Sequence, residues 1–229
     1  ICLNSPSNPT GSGYTEEELQ ALGKVIEKSN ALVISDEVYE RLTYGDYKFI
    51  SFAAACPQLQ DRTVTINAFS KTYSMTGWRV GYLTGPDSVI KGVSKFQSQT
   101  TSNVCSIAQH AALAALSGSH DFIDDLLVNF NRRMDLAISY IEKTPGISIS
   151  SRPQGAFYLF VRIDELIKNF EKISNSVDFA TYLLDEAGVA VVPGGAFGDD
   201  AAFRISISSS DENIEAGMEK ILEAVNKLY

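Results

Sequence analysis

The residues best placed to do chemistry in this chain are Lys71 and Arg79. They lie in the stretch NAFSKTYSMTGWRVGY, Asn67 to Tyr82, where a lysine sits among small and hydroxyl residues and an arginine follows eight positions on. A solvated basic face would carry more charge and fewer glycines and aromatics. Two isolated cations between the strand-like runs TVTINAF and VGYLTG call for an anionic partner held in place. Neighbouring strand-to-loop junctions add further polar groups: Asn8 in NPTG, Asp36 and Tyr39 in SDEVY, and Ser70 beside Lys71. Ligands of open α/β sheets bind outside the carboxyl ends of the strands, so this set could converge on one sheet edge. Taken singly, each residue has a plain structural role. Asn8 before Pro9 suits a turn, Asp36 a cap or surface acid, and Tyr39 a core aromatic with a wet hydroxyl. Lys71 alone would be solvated, and Arg79 alone would make an ordinary ion pair. The set, in this order and at these junctions, is what points to chemistry.

Other motifs fail on inspection. GSGYTE has the first two glycines of a dinucleotide fingerprint, but Glu16 stands where the third belongs. No G-x-x-x-x-G-K-[S/T] occurs, and Ser70 adjoins Lys71 instead of forming the S-x-x-K of acyl-transfer enzymes. His110 and His120 lie ten apart with no cysteine or acid at metal spacing, so both read as helix or surface residues and no metal is expected.

Composition narrows the classes. The 229 residues suffice for one large domain or two small ones, with 45% hydrophobic and 21% charged residues. A net charge of −9 argues against a nucleic-acid partner, though not against one local anion pocket. Cys2, Cys56 and Cys105 are odd in number and lack C-x-x-C spacing, which predicts reduced, buried thiols of a cytoplasmic protein. No apolar run reaches the ~18 residues that span a bilayer, and no membrane partner is expected. The chain opens on ICLN, which reads as a buried strand, so the sequence is expected to be the C-terminal part of a longer protein.

Stepping along the chain gives the elements that must hold these residues. Thr15 and Glu18 form a T-x-x-E capping box for a helix with Leu19, Leu22, Val25 and Ile26 on its core face. ALVIS, residues 31–35, suits a strand buried on both faces, and TVTINAF and RVGYLTG read likewise. Pro86 opens a helix to about Gln97, and SIAQHAALAALSG makes another. Strands alternating with helices predict an α/β domain with a mostly parallel sheet over residues 1–118. From His120 to about Lys143 the spacing of Ile123, Leu127, Phe130, Met134, Ala137 and Ile141 predicts one long interdomain helix, over residues 119–143. Residues 144–229 read as a small α+β domain, with strands in ISISS, GAFYLFVRI, VAVV and AFRISIS, a helix near 177–187, and a last helix opened by Ser209 and Glu212. In AFRISIS, Phe203, Ile205 and Ile207 alternate toward a core, which turns Arg204 to the opposite face. An exposed arginine on an edge strand is the plain alternative.

SKTYSMTGWRVGY, together with NPTG and SDEVY, resembles the pyridoxal-phosphate-dependent class I/II aminotransferases of the aspartate aminotransferase fold type, closest to the bacterial aspartate and aromatic subgroup. The likeness runs from NPTG to the terminal helix. It implies an α/β large domain, incomplete here, plus the small α+β domain. The implied activity moves an amino group between an aspartate-type or aromatic amino acid and a 2-oxo acid. A lyase or synthase of the same fold type, or an inactive fragment, are the alternatives. The resemblance implies that Lys71 forms the imine with the cofactor aldehyde, while Arg79 and Ser70 hold its phosphate. Asp36 would sit against the pyridine nitrogen, Tyr39 and Asn8 against the phenolic oxygen, and Arg204 would grip the substrate α-carboxylate. The chemistry agrees with these roles: a carboxylate favours a protonated ring nitrogen, and arginine's planar fork suits phosphate and carboxylate. A cis Asn8-Pro9 bond is also expected. The family's N-terminal portion normally supplies a phosphate-binding loop, a ring-stacking aromatic and much of a homodimer contact, and those positions have no counterpart in this sequence.

Overall fold

The structure, a computed structural model, describes residues 1–229. It forms two compact units: residues 1–7 with 12–125, and residues 8–11 with 126–229. In the first, β1 (Cys2–Asn4) leads through a turn-rich segment to α1 (Glu16–Ile26) and β2 (Val33–Asp36). A short α2 (Phe52–Ala55) precedes β3 (Thr63–Ala68), α3 (Phe69–Thr72) and β4 (Gly81–Thr84), followed by α4 (Asp87–Thr100) and α5 (Ser106–Ser117). The sheet order is β1-β2-β3-β4; β1, β2 and β3 run parallel and β4 antiparallel to β3.

The first helix shows how local signals and packing combine. The capping box forms in both directions: Glu18 N–H donates to Thr15 Oγ1 at 3.3 Å, and Thr15 N–H to Glu18 Oε2 at 2.8 Å. Leu19 and Ile26 enter a core with Val33, Phe52, Cys56 and Leu59. Val25, expected on that face, is exposed, because one residue step turns it about 100° off the stripe. Gly23 takes its place: a Cβ there would lie 2.5 Å from Cys56 Sγ, so only a bare backbone lets α1 approach so closely. Burial pushes the Cys56 thiol up, and Sγ donates to Leu19 O at 3.3 Å. Cys2 and Cys105 are exposed, correcting the expectation of buried thiols; all three are unbridged.

Three strands also differ from expectation: in β4, read from RVGYLTG as buried on both faces, Gly81, Tyr82 and Thr84 are exposed. The β1 strand forms, but Ile1 and Cys2 are exposed, since β1 is the edge of its sheet. In β2 the side chains alternate: Val33 and Ser35 are buried, whereas Ile34 is 41% exposed, so only one face of this strand is covered.

The helix α6 (Asp121–Ile141), about 32 Å long at ~1.5 Å per residue, begins in the first unit and continues into the second. Phe130, Met134, Ala137 and Ile141 bury its face in the second unit. There follow β5 (Ser148–Ile149), β6 (Tyr158–Arg162), α7 (Asp164–Asn169), α8 (Ser176–Ala187), β7 (Val192–Pro193), β8 (Ala202–Ser206) and α9 (Asp211–Asn226). The antiparallel sheet runs β5-β6-β8-β7, so β8 is interior and not an edge. VAVV pairs only through Val192, since Gly188 at φ +63° ends α8 and the chain reaches β8 late. The last helix is capped by Ser210, one residue beyond the expected Ser209: Asn213 N–H donates to Ser210 Oγ at 3.3 Å, and Ser209 Oγ instead accepts from the Asn213 amide. The Asn8-Pro9 bond is cis, as expected, and so is Ser5-Pro6. No helix is long and apolar enough to cross a membrane.

At the end of β6, Arg162 forks onto Asp164 through bonds of 2.8 and 2.7 Å and also binds Asp199. The guanidinium hydrogen bond holds the Asp164 carboxyl below its ordinary value of 3.8. A carboxyl depressed on folding contributes stability above its unfolded value, and that contribution is lost as pH falls through the folded value. Acid unfolding below about pH 4 is therefore expected to be less steep in Asp164→Asn, which should also be somewhat less stable at neutral pH; thermal melts from pH 7 to pH 2 measure both.

Candidate functional site

The parallel pairing sets the site. The register places Asn4 beside Asp36 and Asp36 beside Ile66, so the carboxyl ends of β1, β2 and β3 line up on one edge. Asp36 is the last residue of β2. Its carbonyl accepts from Asn4 Nδ2 and from Ser5 N–H, each at 3.3 Å, and its Oδ1 accepts from Val38 N–H at 3.3 Å. That last bond turns the chain at once, as aspartate does at strand exits, and brings Tyr39 back into the unit, 3% exposed.

The lysine follows β3 directly. The β3 strand runs into α3 with no connecting loop, placing Ser70 and Lys71 on the first turn beyond the sheet. Lys71 Nζ lies 6.0 Å from the Tyr39 ring centroid. The short helix is held from below by Phe69, packed with Val80, Ala108 and Ala112, and by Tyr73 against Phe69 at 5.4 Å. Arg79 has φ +52° and ψ +49°, a left-handed backbone in which its Nη1 donates to Thr76 O at 2.9 Å. Ser70 and Arg79 line one cavity of about 570 Å³ with Asn67, Tyr82 and Gln97. This antiparallel return of β4 requires Gly81: a Cβ there would meet Asn67 O at 2.8 Å and Ala68 Cβ at 3.2 Å.

Acidic groups back this edge. Partial burial, more than any other cause, holds the Glu40 carboxyl above its ordinary value; a hydrogen bond from Asn67 and the Arg41 charge oppose the rise, and Glu37 adds to it. Burial likewise raises the Tyr82 phenol, with Glu40, Tyr73 and Glu37 adding to the rise. His120, read from sequence as a helix or surface residue, joins Arg41 Nη1 at 2.9 Å and Ala115 O at 3.1 Å and packs edge-on to Tyr73.

In the second unit, β8 carries Arg204 between Phe160 and Val192 of its neighbours. Its guanidinium carbon lies 4.4 Å from the Tyr158 ring centroid and 5.2 Å from that of Phe197, and Nη1 donates to Asn8 Oδ1 at 2.7 Å. Its Nε is buried and has no acceptor. Buried donors are nearly always paired, so this Nε is an exception within the second unit. Phe203 and Ile207 are buried on the other face, as the alternation predicts, while Ile205 is only half-buried. The structure thus joins Asn8 with Arg204 in one unit, and Tyr39 with Lys71 and Ser70 with Arg79 in the other. Sequence reasoning missed the two aromatic rings against Arg204; their signal was the paired aromatics of GAFYLF and the Phe of PGGAFG.

Comparison with known proteins places this arrangement. The family profile described as aminotransferase class I and II matches residues 1–221, and the chain belongs to that family. A probable aspartate/prephenate aminotransferase of Rickettsia typhi is 46% identical over all of this chain and 58% of its own length. An aspartate aminotransferase of Geobacillus stearothermophilus is 43% identical over 96% of this chain and 56% of its own length. Among solved structures, the aspartate aminotransferase of Rhizobium meliloti superposes with a TM-score of 0.92 at 36% identity, again over 58% of its length. An aspartate aminotransferase of Thermus thermophilus with maleate gives 0.85 at 34% identity. The chain therefore spans somewhat more than half the length of the relatives it matches.

Because Gly81 lets β4 close over the segment before Lys71, Gly81→Ala is expected to cost about 1–3 kcal/mol. Denaturant melts would read the loss, and a neutral result would show that the approach of β4 to Ala68 is not tight.

Proposed function

We propose that this chain carries the cofactor-anchoring and substrate-binding residues of a pyridoxal-phosphate-dependent aminotransferase. The observation that supports this most is Lys71 just past the carboxyl end of β3, its amine 6.0 Å from the Tyr39 ring centroid, with β3 paired to the strand that ends in Asp36. The residues present fit the cofactor's charges: a carboxylate for the ring nitrogen, a phenol for the ring oxygen, and a hydroxyl with a guanidinium for the phosphate. When bound, pyridoxal phosphate supplies an aldehyde for covalent attachment and a ring that accepts electrons. Lys71 would hold the aldehyde carbon through its amine, and that amine would be the group placed to move a proton at the substrate α-carbon. Asp36 would favour the protonated form of the ring nitrogen. Tyr39 would donate its hydroxyl to the ring oxygen, with the Asn8 amide nitrogen as a second donor. Ser70 and Arg79 would bind its phosphate oxygens.

Arg204 binds the substrate carboxylate. The rings of Tyr158 and Phe197 fix the plane of its guanidinium, and the unpaired Nε provides a donor for one carboxylate oxygen. A solved relative contains maleate, a dicarboxylate, and curated relatives are described as acting on aspartate or prephenate. The substrate reading is therefore a dicarboxylic or aromatic amino acid paired with a 2-oxo acid. Domain limits of 1–118, 119–143 and 144–229, and a homodimer, complete the proposal.

Three experiments on the intact protein test it. Lys71→Ala is expected to keep the fold and lose turnover, with borohydride fixing pyridoxal phosphate onto Lys71 only in the parent; near-parental activity would refute the assignment. Counting glutamate against ammonia and pyruvate separates transamination from elimination. Arg204→Lys keeps the charge but loses the planar fork, and maleate binding by calorimetry is expected to weaken about tenfold or more, ~1.4 kcal/mol. Unchanged affinity would remove Arg204 from the site.

A further inference from the structure

Beside Asp36 stands a second acid with a different environment. Glu37 is 3% exposed. One of its oxygens, Oε1, accepts three hydrogen bonds: from Ser35 Oγ at 2.9 Å, Ser51 Oγ at 2.8 Å and Phe52 N–H at 3.1 Å. Its backbone N–H donates to Ile66 O at 2.9 Å, and its carbonyl accepts from Glu40 N–H at 2.9 Å. A single buried residue is thus bound to β2, to β3 and to the start of α2. Glu37 and Ser51 are the two ends of the loop 38–50, and the carboxylate closes that loop on itself. Tyr39 lies inside the loop, two residues from the closure.

Loops are placed by what fixes their ends, and holding both ends together restricts where the intervening residues can go. Hydrophobic contacts alone would leave the turn free to slide along the sheet edge; directional hydrogen bonds set its position. The Ile66 bond matters as well, since Ile66 lies on the strand that leads into Lys71. Glu37 therefore references Tyr39 to the same strand that positions the amine.

We propose that Glu37 is a positioning residue: its carboxylate clasps the 38–50 loop and so sets Tyr39 against Lys71. The inference rests on the cofactor reading above and assigns Glu37 no contact with substrate or cofactor. Carboxylate reach, not charge, is the property it needs.

The test uses the intact protein with pyridoxal phosphate as probe. Glu37→Asp keeps the charge but shortens the side chain by one methylene. Glu37→Gln keeps the reach and an acceptor oxygen. Phe52→Leu trims a core side chain of α2 without removing any clasp atom. Three readouts are taken: melting temperature, amide hydrogen exchange across residues 38–50, and affinity for pyridoxal phosphate measured as borohydride-fixed label on Lys71. Glu37→Asp is expected to speed exchange through 38–50 and weaken cofactor affinity about tenfold. Glu37→Gln should recover most of both. Phe52→Leu should lower the melting temperature with little effect on either. If Glu37→Asp fails to fold, Ser51→Ala, which removes one of three donors, should show the same exchange and affinity changes in milder form. The inference is overturned if Glu37→Asp matches the parent, if Glu37→Gln is no better than Glu37→Asp, or if Phe52→Leu reproduces the affinity loss. A Ser51→Ala protein indistinguishable from the parent overturns it equally. A parent protein that takes no label at Lys71 defeats the cofactor reading itself, and this inference with it; a labelled parent with indifferent Glu37 variants defeats this inference alone.

Discussion

Parallel pairing of three short strands is the constraint on which the first unit depends. Parallel strands must all exit at the same edge, and the register Asn4–Asp36–Ile66 makes those exits level. The strand that ends in Asp36 is therefore paired with the strand that runs directly into the Lys71 helix, although the two residues are 35 apart in sequence. A shift of one residue in either pairing would turn Asp36 or the Lys71 segment to the other face. The antiparallel β4 completes the arrangement from the far side, and it can do so only because Gly81 has no side chain to hold it off.

The second unit solves a different problem: how to keep a cation half-buried with a donor to spare. Arg204 sits on an interior strand, where neighbouring strands occupy its backbone groups on both sides. Two aromatic rings contact the guanidinium and offer it cation–π attraction in place of water. Asn8 accepts one of its hydrogen bonds and leaves Nε without an acceptor. Aromatic contact of this kind limits the conformations open to a flexible side chain.

The surface of the first unit carries large apolar groups: Ile34 on β2, Tyr82 on β4, and Phe96 on α4 are 41%, 51% and 72% exposed. These positions read from sequence as strand and helix residues of ordinary hydrophobic type, and nothing in their own identity distinguishes them from buried neighbours such as Val33 or Phe52. Coverage of a sheet face is decided by which other elements reach it, not by the residues that form it. The same reasoning explains Cys2, exposed on an edge strand, and Cys56, buried where α1 meets α2.

By itself the sequence determined the element types, the capped start of α1, the order of strand and helix, and the residues at the strand exits, because those depend on local propensity and periodicity over a few residues. It also determined the family, since SKTYSMTGWRVGY holds its lysine, hydroxyl and arginine at fixed spacing. Tertiary structure alone decided which face of β2 is covered, that VAVV pairs only at its end, that β8 is interior, and that Tyr158 and Phe197 frame Arg204. It also decided that Glu37, indistinguishable in sequence from any surface acid, is buried on three donors. Those outcomes join residues tens of positions apart, and the energy that fixes them comes from packing and pairing across the fold, which no local window contains.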